Sequence, residues 1–147
     1  MTGSAEMKLI FRLEGVGFSL PVNLLVEIVE LEVKPQRSTE KDSPPWPQID
    51  FRGSSIPVID LAGSFGLSEA PEGDELTMLV LYGELGCWGA LVREVEGIRA
   101  NAEFEERKLS PLFSLGGGNL YDNIDIWRSE PLIQFDPDRF APRGDAT

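Results

Sequence analysis

Histidine is absent from the 147 residues of this chain. No imidazole is present to act as a general base near neutral pH, complete a Ser-His-Asp triad, carry a phosphoryl group or ligate zinc. Cysteine is almost absent: Cys87 stands alone. That excludes an intrachain disulfide and a cysteine metal cluster, and it suits a reducing compartment. Cys87 sits in an apolar stretch with no Lys or Arg before Arg93, so it reads as a buried, inert thiol. Long hydrophobic runs are missing as well. No segment approaches the roughly 20 apolar residues that cross a bilayer, and "MTGSAEMKLIFRLEG" at the start has neither signal-peptide nor membrane-span character. Positive charge is scarce: 13 basic residues face 25 acidic ones, a net charge of −12. Such a surface repels phosphate backbones and anionic lipid, which disfavours nucleic acid and membrane surfaces as ligands. It fits basic patches on other proteins, although solubility alone is the plainer use of the charge.

Against these absences stands a hydrophobic content of 41%, enough for a packed core. Eleven Pro and fifteen Gly, spread along the chain, imply many turns between short elements and favour an all-β fold. Residues 8–13 alternate, with Leu9, Phe11 and Leu13 on one face and Lys8, Ile10 and Arg12 on the other. "EGVG" turns the chain and "FSLPV" returns it. After Pro21, "VNLLVEIVELEV" reads as one helical turn and then a β-branched strand. "KPQRSTEKDSPPWP" is a loop, and its Trp46 either folds back onto the barrel or presents a polyproline-like ligand. "QIDFR" and "SIPVIDL" form a hairpin across Gly53-Ser54. Asp60 N-caps a short helix in "LAGSF", and Gly66 stops it. An acidic linker, "LSEAPEGDE", precedes a second hairpin, "LTMLVLY" and "CWGALVREV". "EGIRANAEF" continues as a strand, "EERKLSPLF" holds a turn of helix, and "SLGGGN" is a loop. "LYDNIDIW" and "EPLIQFD" form the last hairpin. Asp136 then caps a terminal turn of helix with Pro137 at its first position.

A shift of about 69 positions lays the first hairpin on the second. Leu9, Phe11 and Leu13 fall on Met78, Val80 and Tyr82, and Val26-Glu27 falls on Val95-Glu96. Two similar β lobes follow, in one domain over residues 8–140 with short tails at 1–7 and 141–147.

Catalytic chemistry finds little support. "LGGGNL" lacks the Lys-Ser/Thr of a phosphate-binding loop. Asp122, Asp125, Asp136 and Asp138 lack calcium-loop spacing and read as caps and solvated loop acids. "RGD" in the tail is a chance match. Glu27 and Arg52 stand out more. Glu27 interrupts an apolar strand, and an Arg fork on the neighbouring hairpin can bind it; the other reading is two unrelated surface charges.

The stretch "FRGSSIPVIDLAGSFGL" closely resembles CheW-like domains, the coupling proteins of bacterial chemotaxis. "FSLPVNLLVEIVEL", "GALVREVEGI" and "EPLIQFDPDRF" extend the resemblance over roughly residues 8–140. Departures lie at "PQIDF", where the family usually reads Gly-apolar-apolar-Asn-Leu, and at Arg93, where Asp is common. The resemblance implies an all-β fold with short helices, built as two intertwined five-stranded SH3-like barrels around a shared core. It also implies a non-catalytic cytoplasmic adaptor in chemotaxis signal transduction, recruited to membrane-bound receptor arrays, with no cofactor or metal. The implied partners are the regulatory domain of a CheA-type histidine kinase and the cytoplasmic hairpin tip of a chemoreceptor. A regulatory module of a divergent chemosensory or two-component pathway, not tied to flagellar motility, is the alternative. Partner-binding candidates are Val26, Ile28, Val29 and Gly53 in the first lobe and Val95 and Ile98 in the second. For the apolar ones, barrel core is the competing role. Glu27 and Arg52 match the family's charged pair and form the expected structural salt bridge beside that surface.

Overall fold

The computed structural model describes residues 6–42, 44–67, 76–108 and 123–142. The hairpin expected at the start forms from β1 (Met7–Leu13) and β2 (Val16–Pro21). Pro21 ends the ladder, Val22–Leu24 make a single 3-10 turn, and β3 (Leu25–Leu31) follows. After the proline-rich loop come β4 (Gln48–Phe51), β5 (Ser54–Asp60) and the one-turn helix α1 (Leu61–Ser64). The second half repeats the plan with β6 (Leu76–Gly83), β7 (Gly86–Val92) and β8 (Glu94–Ala100). A 3-10 turn at Asn101–Glu103 leads to β9 (Phe104–Lys108), then β10 (Asn123–Trp127), β11 (Glu130–Gln134) and a 3-10 turn at Pro137–Arg139. Of "EERKLSPLF", where a turn of helix was expected, residues 109–113 lie outside the described residues and residues 105–108 are extended in β9. Their strand pairs with β10 throughout, Phe104 opposite Trp127, so tertiary pairing decides the backbone. The acidic linker after Leu67 and the "SLGGGN" loop lie outside the described residues.

The strands form two sheets, in the orders β8-β1-β2-β11-β10-β9 and β3-β6-β7-β5-β4. In the first, the edge strands β8 and β9 are separated in the chain only by Asn101–Glu103, so the sheet curls until its edges meet. Counting the bent β8–β9 segment as one strand gives five per lobe. The lobes are intertwined. The N-terminal hairpin β1–β2 belongs to the sheet completed by the C-terminal strands, with β2 parallel to β11 through Phe18 beside Ile133. The second hairpin, β6–β7, belongs to the sheet of β3, β4 and β5, with β5 parallel to β7 through Val58 beside Gly89. We call the β3–β7 sheet lobe one and the other lobe two.

Each hairpin buries both faces, which explains where simple alternation misleads. Leu9, Phe11 and Leu13 face the shared core with Phe18, Leu79, Leu81 and Trp88, as their spacing suggests. Phe11 stacks on Phe18 with centroids 5.1 Å apart. The opposite face of β1 is not the solvent face that Lys8 and Arg12 suggest. Ile10 is fully buried there with Trp127 and Leu132 in the interior of lobe two. Among the described residues the interior of lobe one is apolar, with Ile56, Val58, Met78, Val80 and Leu91. Cys87 packs half-buried against it. Glycine at 89 is required by this packing, because a Cβ there would overlap the Met78 side chain.

Lobe two closes its small apolar interior with ionic groups. At one end lies Asp125, completely buried rather than the loop acid expected. Its Oδ2 accepts from Lys8 Nζ and from Ser19 Oγ, each at 2.7 Å, and its Oδ1 accepts from Gln134 Nε2 at 2.8 Å. Elsewhere in the lobe, Arg12 donates through Nη1 and Nη2 to the two oxygens of Glu130 at 2.6 and 2.8 Å, and through Nε to Glu96 at 2.7 Å. These bonds hold the Glu130 carboxyl below the usual carboxylate range and push the Arg12 guanidinium up.

Asp60 carries two tasks at the end of β5. Its Oδ1 accepts from the Ala62 backbone N–H at 3.1 Å, capping α1, and its Oδ2 lies 3.0 Å from Lys34 Nζ. The ion pair ties the start of the proline-rich loop to the sheet. Trp46 folds back here, half-buried, lining a shallow cleft of about 360 Å³ with Pro35, Pro47, Val58 and Ile59. Asp60→Ala is expected to cost about 1–2 kcal/mol in urea denaturation, and Asp60→Asn, which keeps the cap, about half as much. Equal costs for the two would remove the cap from this account.

Candidate functional site

The first-lobe hairpin turns through Arg52 and Gly53, with Phe51 paired to Ser54. Both turn residues have positive φ, 51° and 85°, the pattern of a two-residue type I′ hairpin. Gly53 accepts that conformation without strain. A Cβ built on it meets no atom within 4 Å, so the turn stands open to solvent. Arg52 folds back over its neighbour, its guanidinium carbon 4.8 Å from the Phe51 ring centroid. From there Nη2 donates to Glu27 Oε1 at 2.5 Å. The two side chains are 65% and 41% exposed. At such exposure the pair contributes roughly 0–1 kcal/mol and weakens with salt, so its value lies in geometry. It joins β3 and the β4–β5 turn, the two edges of the lobe-one sheet.

The six partner candidates divide by surroundings. Val26 and Val29 pack against the lobe-one interior, and Val95 packs against the shared core. Ile28, Ile98 and Gly53 are exposed. A bulge between Leu25 and Glu27 explains why Val26 and Val29, rather than Val26 and Ile28, share a face. Ile28 and Gly53 belong to the lobe that Glu27 and Arg52 tie together. Val95 and Ile98 sit on β8, in the other sheet. The apolar edge strand β3, the open glycine and the braced arginine form a surface suited to another backbone or an apolar side chain. No group of three or more metal-ligating side chains occurs among the described residues. No helix is long and apolar enough to cross a membrane among those residues.

Lobe two repeats the turn, which reading the chain hairpin by hairpin overlooks. Arg128 and Ser129 have φ of 50° and 67°, and Arg128 lies 4.7 Å over Trp127 as Arg52 lies over Phe51. The signal is present in the sequence: an aromatic-Arg pair, then Asp60 eight positions after Arg52 and Asp136 eight after Arg128. Asp136 caps its turn through the Asp138 N–H, as Asp60 caps α1. One difference separates the lobes. Glu96 occupies the place of Glu27 but is bound by Arg12, not by the turn arginine.

Comparison with known proteins agrees with this geometry. A family model described as CheW-like domain matches residues 8–126. By sequence, no curated protein matches the chain. Among solved structures, the fold is similar to the scaffolding protein TtCheW from Thermoanaerobacter tengcongensis, with a TM-score of 0.73 and 18% identity over 97% of each chain.

Proposed function

Since the chain belongs to the CheW-like domain family, we propose that it is a non-catalytic adaptor coupling chemoreceptors to a CheA-type histidine kinase. Residues 8–140 are the working unit in this reading. It acts in the cytoplasm, recruited to membrane-bound arrays by the receptor tip and the kinase regulatory domain. Surface complementarity does the work: each signalling state of the receptor favours different contacts, and the adaptor passes that preference to the kinase. The observation that carries the site is the open Arg52–Gly53 turn, held over β3 by Glu27. Val26, Ile28 and Val29 on β3 and Val95 and Ile98 on β8 are the apolar residues assigned to the partner surfaces.

Calorimetric titration with the kinase regulatory domain and, separately, with a receptor hairpin tip from the same genome tests the reading. Both are expected to bind. Binding of the kinase domain alone would favour a regulatory module of a divergent pathway, and binding of neither would leave only the fold. Gly53→Asp introduces a side chain into open space at a φ that Asp tolerates, costing about 1 kcal/mol of stability. It is expected to weaken at least one partner about ten-fold or more, with circular dichroism unchanged. Unaltered affinity for both partners would move the site away from this turn.

A further inference from the structure

Two arginines of lobe two rest on one indole. Arg128 lies 4.7 Å and Arg99, on β8, lies 5.6 Å from the Trp127 ring centroid. Arg99 Nη1 donates to the Ile98 carbonyl at 3.1 Å. Neither guanidinium forms an ion pair among the described residues. This is unexpected in a chain with 25 acidic side chains. The comparison of the lobes explains it. Arg12 has taken both Glu96 and Glu130, and Glu103 accepts from Trp127 Nε1 at 3.2 Å, so the neighbouring carboxylates are engaged. Space for the arrangement comes from a glycine, because a Cβ at Gly97 would lie 2.9 Å from Arg99 Nη1.

A guanidinium carries five N–H donors in a planar fork that matches a carboxylate. Stacking on Trp127 restricts both side chains beforehand, which lowers the entropy lost on binding. Glu103, bonded to Trp127, and Glu130 offset the two arginines' charge, so the site suits a single carboxylate taken by hydrogen bonds in a guanidinium fork rather than a phosphate dianion. We infer that the Arg99–Trp127–Arg128 face of lobe two is a docking site for an Asp- or Glu-bearing segment of another protein. The inference does not depend on which partners the Arg52–Gly53 turn receives.

Nitrogen-15 NMR at low salt, with a Glu-Ser repeat peptide as the probe, tests it. The three tryptophans supply their own controls. The Trp127 indole N–H is expected to shift on titration while those of Trp46 and Trp88 stay in place. The shift is expected to vanish in about 0.5 M salt. Replacing both arginines, Arg99→Gln with Arg128→Gln, is expected to weaken the peptide about ten-fold or more. Arg128→Gln alone, on an exposed turn that leaves the fold intact, should weaken it about three-fold. The inference is overturned if Trp127 does not move, if Trp46 and Trp88 move equally, or if Arg128→Gln binds as wild type. It is also overturned if Trp127 moves when the protein alone is concentrated, because the occupant is then a second copy.

Discussion

Asp125→Ala is expected to destabilise the fold by about 3–5 kcal/mol, measured by urea denaturation with fluorescence and circular dichroism in parallel. The carboxylate is wholly enclosed, and three donors converge on it. Removing it leaves the Lys8 ammonium, itself only 16% exposed, without its counter-charge, and it takes the acceptor from a buried Ser19 hydroxyl. Gln134 suffers less, because its amide also donates to Glu106 at 2.7 Å. The cost therefore comes from orphaned partners more than from the pair's intrinsic strength. A double variant, Lys8→Met with Asp125→Leu, removes both charges and should recover most of the loss. If Asp125→Ala loses less than about 1 kcal/mol, the network does not hold the lobe.

Arg12→Met should cost about 2–3 kcal/mol and flatten the acid limb of the stability profile. The guanidinium binds two carboxylates that are 28% and 37% exposed, so solvent screening keeps the figure below that of a buried pair. Glu130 titrates below the usual carboxylate range in the folded protein because Arg12 donates hydrogen bonds to it. A depressed folded pKa contributes stability that is complete above the unfolded value and is lost as pH falls through the folded one. The raised Arg12 pKa lies beyond any working pH and adds no slope. Wild type should therefore lose stability as pH falls through and below the ordinary carboxylate range, and Arg12→Met should lose less there. Parallel slopes for the two proteins would show that the clamp does not couple to acid unfolding.

Local chemistry made much of the architecture readable. Pro21 before a β-branched run marks the helical turn and β3, and the caps at Asp60 and Asp136 follow from side-chain oxygens placed just ahead of short helices. The 69-position shift anticipates two matching lobes. Exchange of hairpins between sheets is not readable in this way, because alternation reports that a strand has a buried face but not which sheet supplies it. For the same reason Lys8 and Arg12 disguise the second buried face of β1, where Ile10 sits between charges neutralised from strands more than eighty residues away. Asp125 looks like a solvated acid because its three donors come from β1, β2 and β11. The Glu27–Arg52 pair was visible through family resemblance and strand spacing. Arg128 was hidden by Arg12, which takes Glu96 from the neighbouring strand β1.

The exchange of hairpins also sets the order in which a ribosome can hand this protein to the cell. β1 and β2 are synthesised first, yet β1 must wait for β8 and β2 for β11. Until the final hairpin emerges, the nascent chain displays unpaired strand edges and the Phe11–Phe18 stack to its surroundings. Long-range pairings of this kind fold slowly. A truncated product ending before β10 would hold one assembled sheet and a stranded hairpin, a natural client for a chaperone. The two halves, made as separate polypeptides, would each carry the hairpin that completes the other's sheet and should regain the fold only when mixed.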